Sequence, residues 1–599
     1  MPQTVPQVWD LESLFAGGSQ SQAFSTFLND LEVDIASWKT ALTQAPSPVP
    51  VPLVSAWVLR TQEISARMRE AGAFVSCLNA QDDSDQMAKG WNGRVRQVRA
   101  ALVQATLLLD DILLGLPDAE WAALSSDPAL IALRFPLEER RTRAQDRLDP
   151  ERETLISDLM VDGYHAWSDL YDTIVGRIRI PFEDPRLTDG SASMPWLSAS
   201  QAANTLPDAD RAVRTAVSGR WEEAWGDVAE LCADSLNHLA GYRLAVYRHR
   251  GWDSVLQEPL QINRMSSQTL DAMWGTIEQN KAPFVTYLQR KAKLIGVEQL
   301  SWHDVSAPLG AVTKTYSLDE ARELIVRQFH QFSPQMAEFA DSCFERRWIE
   351  AEDRPGKRPG AFCTSFPVRE QTRVFMTFSG TYSNVTTLAH ELGHAYHQHV
   401  MRGLPQMVQN YAMNVAETAS TFAEAIVADA ALRAATDKQE QIALLEDKVQ
   451  QSVAMFMNIH SRFLFETRFY EQRKRGLVNA QALNDIMVQA QQEAFCGALG
   501  TWHPHFWASK LHFYITATPF YNFPYTFGYL FSNGIYARAL AEGSAFSDKY
   551  VALLRDTGRM CVEDLAAHHL GVDLTKPDFW QHAVDVARAD VDEFLRITE

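Results

Sequence analysis

Cysteine is scarce in this chain: Cys77, Cys232, Cys343, Cys363, Cys496 and Cys561 are spread over 599 residues without a CxxC pair. That density excludes a disulfide-built scaffold and argues for buried, reduced thiols over a metal or redox role. Positive charge is also short. Lys+Arg number 55 against 75 Asp+Glu, giving a net charge of −20, so no strongly basic face is expected for a nucleic-acid partner. No run approaches the roughly 18 apolar residues of a membrane-spanning helix. The opening MPQTVPQVWDLESLF has no basic segment leading into an apolar one, so no secretory signal is read there. The expected compartment is the cytosol, with neither membrane nor nucleic acid as partner. Fixed-period repeats and long low-complexity tracts are missing, as are a G-x-S-x-G elbow and a P-loop, which leaves serine-hydrolase and nucleotide chemistry without support. What is present is 46% hydrophobic and 22% charged, enough for a sizeable core and for roughly three to five domains, or for a large helical enzyme that merges them.

Most of the sequence reads as helix. Ile64, Met68, Ala71, Val75 and Leu78 form one stripe of a 3.6-residue period, and Leu445, Val449, Ser452 or Val453, Phe456 and Ile459 form another. Ser317-Leu318-Asp319-Glu320 is a capping-box start for a helix. Pro46, Pro48, Pro50 and Pro52 mark a loop, and Pro, Gly and Ser cluster again between Pro181 and Pro195. A soft boundary near residue 200 follows, with an N-terminal helical region over 1–200 and a catalytic region over 201–599. Strand signals are few. Residues 374–378 (VFMTF) are the best candidate, and residues 361–366 are a second able to pair with them as a small ribbon. Mixed charge runs such as Glu138-Glu139-Arg140-Arg141 read as solvated helix faces.

The sharpest feature is His390-Glu391-Leu392-Gly393-His394, an H-E-x-x-H pattern. Residues 383–400 lack proline and begin with a Ser or Asn suited to an N-cap. On a helix, His390 and His394 share one side, and Val385, Leu388, Leu392 and Ala395 share the other. Two neutral imidazoles one turn apart can converge on a tetrahedral zinc ion at about 2.0–2.1 Å per bond. Glu391 points about a quarter turn away, where it can take a proton from a water made acidic by the metal.

A third ligand is needed. His397 sits about 10 Å along the axis from His390, too far to share the shell. The longer form H-E-x-x-H-x-x-G-x-x-H fails, since His397 stands where its Gly belongs. A carboxylate from a second helix is the better candidate. Val415, Ala419, Phe422 and Ile426 make an apolar stripe, and Glu417, Thr421 and Glu424 line the other side. Glu417 is favoured as ligand and Glu424 as the partner that fixes an imidazole N–H. Near the C-terminal end, His512-Phe513-Tyr514 and Phe520-Tyr521-Asn522-Phe523-Pro524-Tyr525-Thr526-Phe527-Gly528-Tyr529 hold an unusual density of rings. Most are expected in the core, but an imidazole or phenol among them can stabilise an oxyanion.

HELGHAYH, then ETASTFAE, HFY and FYNFPYTFG, resembles the zinc oligopeptidases related to oligoendopeptidase F and thimet oligopeptidase, with the oligoendopeptidase F branch the more similar. The WDLESLF opening and the GKRPGAF stretch extend the likeness over most of the chain. The resemblance implies a mainly α, two-lobed body of the zincin type, with a deep central channel and a small β ribbon near the active site. It implies cleavage of short peptides, with one zinc ion per chain. Carried over by motif, His390, His394 and Glu417 would be the ligands and Glu391 the general base. His512 and Tyr521 would stabilise the tetrahedral intermediate, with Tyr525 close behind. The strand at 374–378, with Gly360 and Ala361, would line the substrate backbone, an extended peptide pairing with an edge strand. More residues separate His512 from the Phe-Tyr pair than in the oligoendopeptidase F pattern, which leaves Tyr514, Tyr525 and Tyr529 open beside Tyr521. Two other readings stay open: a zinc carboxypeptidase or dipeptidyl carboxypeptidase, and a helical peptide-binding protein without catalysis.

Overall fold

Apolar positions at three- and four-residue spacing dominate, and 70% of the protein is helix, which makes it mainly α. The computed structural model describes residues 5–186, 196–310 and 314–599. Among the described residues no single helix is long and apolar enough to cross a membrane, and all six cysteines are free. The chain divides into two units, one of Met1–Asp146, Lys314–Ala430 and Arg538–Val572, the other of Arg147–Thr313, Ala431–Ala537 and Asp573–Glu599. Each unit gathers three separate stretches of sequence. Residues 187–195 of the segment between Pro181 and Pro195 lie outside the described residues; at its flanks Arg179–Pro181 pairs antiparallel with Trp196–Ser198.

In the first unit the helices Gln22–Thr43, Val51–Gln81 and Gln86–Gly115 pack together. The stripe Ile64, Met68, Ala71, Val75 and Leu78 lies in their shared core, where burying a large aliphatic side chain stabilises by about 1.5–3 kcal/mol. Pro52 belongs to the first turn of Val51–Gln81 and not to the loop before it, because a first-turn residue has no intrahelical N–H bond to lose. The capping box at Ser317 forms as expected and opens helix Leu318–Phe332. The Glu138–Arg141 run differs from expectation: Arg140 pairs with Asp110 at 2.6 Å and Arg141 lies over the Trp121 ring at 4.5 Å, so both cations turn toward neighbouring elements.

A three-stranded sheet closes this unit's core, with Phe366 and Phe375 joining the helical cluster. Phe362–Phe366 and Gln371–Phe375 pair antiparallel, and Ile349–Glu350 adds in parallel on the far side of the second. The expected 374–378 strand is therefore shifted toward the N-terminus and lies inside the sheet. Met376 and Phe378 continue its pairing by donating to the Glu350 and Ala351 carbonyls at 2.9 Å. Only Phe362–Phe366 offers an edge on that side, and its outer backbone groups have no backbone partner among the described residues. The turn of this ribbon is tied to the helical core by Glu70. That fully buried carboxylate accepts from the Val368 N–H at 2.8 Å and the Arg369 N–H at 3.3 Å, and pairs with the Arg369 guanidinium.

The second unit is built along a 40-residue helix, Arg211–Arg250, capped at its start by Asp210 and ended by Gly251 at φ 73°. Arg243, buried within it, donates to the Tyr470 hydroxyl at 2.9 Å and the Ile515 carbonyl at 2.7 Å. The second predicted stripe is buried there too, running through Lys438–Val453, a π turn at Ala454–Asn458, and Ile459.

Glu70→Ala should lower the stability of the first unit by about 2–4 kcal/mol, since it strips two backbone N–H groups and a guanidinium of their acceptor. Thermal and denaturant unfolding check this; an unchanged midpoint would reject the anchoring role.

Candidate metal centre

The H-E-x-x-H residues lie on the helix Tyr382–Val400. Its cap is Thr381, ahead of the Ser and Asn expected to serve: the Thr381 hydroxyl accepts from the Asn384 N–H at 3.2 Å, and the Asn384 side-chain oxygen accepts from the Thr381 N–H at 3.4 Å. Val385, Leu388, Leu392 and Ala395 are fully buried. His390 and His394 present their rings 4.9 Å apart at 84°.

Glu417 ends the short helix Met413–Ala416, one residue before Thr418–Ala434, so it stands at a junction between helices. Its Oε2 is 3.3 Å from His390 Nε2 and 3.4 Å from His394 Nε2. One ligand atom from each of the three residues lies within 4.8 Å of the others. Two imidazole nitrogens and a carboxylate oxygen are a donor set that suits zinc. Beside them Glu391 is buried, and its Oε2 has no partner among the described residues, a costly arrangement unless something outside the protein meets it. His397 is elsewhere: its Nε2 meets the Thr557 hydroxyl at 2.9 Å, and its ring stacks on Tyr411 at 4.2 Å.

Three positioning features escaped the sequence reading. Gly393 lets the helix approach the next one: a Cβ there would stand 2.5 Å from the Ala419 carbonyl oxygen and 2.7 Å from Ser420 Cα. A glycine inside a helix, otherwise destabilising, was the available signal. The Ser420 hydroxyl donates to Glu417 Oε2 at 2.7 Å and orients it. In the second unit Glu466 accepts from the Phe520 N–H at 3.3 Å, holding a residue at φ 52° just ahead of Tyr521. Glu424, which the sequence did single out, accepts from His390 Nδ1 at 3.1 Å, leaving Nε2 turned toward Glu417.

The electrostatics follow from burial and pairing. Burial alone would lower the His390 pKa, but Glu417 and Glu424 lift it to about 10 in the metal-free protein. Burial opposes charge on Glu417, yet hydrogen bonds to both imidazoles hold its carboxyl far below the usual range. Burial raises Glu391, against the pull of His394 and His390 and with the push of Glu417.

In the second unit His512, Tyr521 and Tyr525 form their own cluster, with ring centroids 5.4 Å (His512–Tyr521), 6.2 Å (His512–Tyr525) and 5.8 Å (Tyr521–Tyr525) apart. Burial and the cations of Arg462 and Lys510 push His512 down to about 4, so its imidazole is neutral at pH 7. Tyr514 stacks on Tyr171 at 3.6 Å, and Tyr529 meets the Ser452 hydroxyl at 2.8 Å. Both are buried and apart from this cluster. In the first unit Gly360, exposed and at φ 94°, and half-buried Ala361 lead into the edge strand Phe362–Phe366.

Residues 208–585, more than half of the chain, match the profile of peptidase family M3. The chain belongs to that family. A second profile, oligopeptidase F, matches residues 113–180. This M3 chain is similar to the chromosomal oligoendopeptidase F of Lactococcus lactis subsp. cremoris, 23% identical over 356 residues, which is 58% of each chain. That match spans little more than half of the relative's length. Oligopeptidase PepF of Bacillus subtilis is 19% identical over 600 residues, covering 98% of this chain and 86% of that one. Oligoendopeptidase-F from Enterococcus faecium has the same fold, with a TM-score of 0.69 at 16% identity over 96% of this chain and 99% of that one. The M3 segment contains His390, Glu391, His394, Glu417, His512, Tyr521 and Tyr525.

Two outcomes are expected for metal binding by this M3 chain. Gly393→Ala should weaken zinc about tenfold or more, because the added methyl overlaps the backbone that carries Glu417. Chelator competition on folded protein measures it, and native affinity in the variant would refute the close-approach argument. A metal ion held there would have to displace the proton that Glu417 and Glu424 hold on His390 below pH about 10. Affinity should therefore fall about tenfold per pH unit of acidification between pH 8 and 6. A pH-independent affinity would count against His390 as a ligand.

Proposed function

We propose that this chain is a zinc-dependent endopeptidase that hydrolyses short oligopeptides in the cytosol, with one zinc ion held by His390, His394 and Glu417. The observation that carries this reading is the convergence of two imidazole nitrogens and a carboxylate oxygen within 4.8 Å, next to a buried carboxylate without a partner. Membership of family M3 and likeness to relatives named oligopeptidase or oligoendopeptidase support it.

When bound, the ion supplies Lewis acidity, making water acidic near neutral pH and polarising a carbonyl. The side chains perform the remaining work. Glu391, raised by burial, takes the proton from water and passes it to the leaving amine. Glu424 fixes the His390 tautomer, and Ser420 orients Glu417. The edge strand Phe362–Phe366, entered through Gly360 and Ala361, accepts an extended peptide by strand addition. His512 and Tyr521, with Tyr525 beside them, act as donors to the oxygen that becomes negative; neutral His512 offers an N–H without adding a positive charge of its own.

Glu391→Gln should retain zinc and lose about 10²–10⁴-fold in kcat/KM on a short peptide. Full activity in a folded, zinc-loaded variant would reject the base. Mass spectrometry of products from end-blocked peptides separates the rivals: internal cleavage fits an endopeptidase, and cleavage only of peptides with a free C-terminus fits a carboxypeptidase.

A further inference from the structure

A cavity of about 730 Å³ in the first unit is lined by residues of Val51–Gln81 and Gln86–Gly115 and by Thr364 of the edge strand. Met68 and Leu102 give it apolar wall suited to an aliphatic stem. Its charge is opposite to that of the chain. Arg69, Arg99 and Arg140 face one carboxylate, Asp110, so the lining carries 3 − 1 = +2 in a protein of net charge −20. Asp110 pairs with Arg140 at 2.6 Å. Arg69 donates to the Ser365 hydroxyl at 2.7 Å, and Arg99 places its guanidinium over Gly72, where a Cβ would stand 2.8 Å from Nη2. Among the described residues neither Arg69 nor Arg99 is paired with a carboxylate.

The cavity adjoins the metal centre through the edge strand. The Cys363 thiol, one residue before Thr364, donates to the Gln398 side-chain oxygen at 3.7 Å, and Gln398 lies one turn beyond His394 on the motif helix. Cys363 also interacts electrostatically with both Glu391 of the motif and Arg69 of the cavity wall, so an extended peptide on this edge passes both.

We propose that this cavity is a subsite for a carboxylate, and that peptides carrying an acidic side chain or a free C-terminus a few residues from the cleaved bond are bound by Arg69 and Arg99. The proposal rests on the peptidase reading above and adds a substrate class to it. A guanidinium fork matches a carboxylate in two parallel hydrogen bonds, and an unpaired pair of forks on an acidic protein attracts that group over a neutral one.

Three labelled peptides of one length test it: an amidated peptide with Gln at a scanned position, the same peptide with Glu, and the Gln peptide with a free C-terminus. Fluorescence anisotropy reads their binding to the zinc-loaded Glu391→Gln chain, and kcat/KM is read with the wild type. One of the carboxylate peptides should bind about tenfold tighter than the neutral one, and the excess should shrink with added salt. Whichever peptide shows it identifies the side chain or the terminus as the source. R69Q/R99Q should abolish the excess while binding the neutral peptide within about twofold of the parent. Leu107→Glu, at a lining position 40% exposed, should do the same with both arginines intact. Equal binding of all three peptides, or an excess that survives either variant, overturns the subsite. A binding preference without any cleavage by the wild type overturns the peptidase reading and leaves the subsite standing; cleavage without preference does the reverse.

Discussion

Glu417 can meet two imidazoles on a neighbouring helix only if the backbones of the two segments nearly touch. Gly393 permits that contact, because any side chain at this position would occupy the space of the Ala419 carbonyl and Ser420 Cα. The cost of glycine inside a helix, about 0.5–1 kcal/mol against alanine, is small beside the loss of Glu417 from this cluster. The apolar face of the same helix, Val385, Leu388, Leu392 and Ala395, fixes its rotation, so the histidines have one direction in which to point. Close approach and fixed rotation together turn a five-residue pattern into a three-residue donor set.

Charge at this centre is balanced by acids and imidazoles alone. In the metal-free protein Glu417 and Glu424 hold a proton on His390, so the cluster stores positive charge where a cation belongs. Exchange of that proton for a metal ion would keep the carboxylates paired throughout and so avoid the penalty of an isolated buried anion. Glu391 feels the charges of this cluster without being hydrogen-bonded into it. Its buried Oε2 has no partner among the described residues, the condition that suits a proton acceptor to water.

The legibility of the structure in the sequence varied with the range of the interaction. Helical stripes such as Ile64 to Leu78 and the capping box at Ser317 depend on neighbours three or four residues away, and both were readable. The ribbon before the motif was readable as a pair of strands. Its register was not, because burial of Phe366 and Phe375 against helices far away in sequence sets it, and that burial placed the expected edge strand inside the sheet. Arg140 and Arg141 looked like solvated charge because their partners, Asp110 and Trp121, lie on other helices. The choice among the C-terminal tyrosines was likewise open in sequence. Tyr514 and Tyr529 take core partners, and Tyr521 and Tyr525 gather around His512.

The sequence by itself determined a mainly α chain, the helix that carries His390, Glu391 and His394, and the identity of the distant carboxylates worth considering. These follow from periodicity and from the reach of side chains one turn apart, both local properties of the backbone. Tertiary structure alone decided that Glu417 faces the two imidazoles, that Ser420 and Glu424 hold Glu417 and His390 in place, and that arginines from three N-terminal helices share a cavity with the edge strand. Each of these depends on the packing distance between segments remote in sequence, and side-chain volume across the whole core fixes that distance.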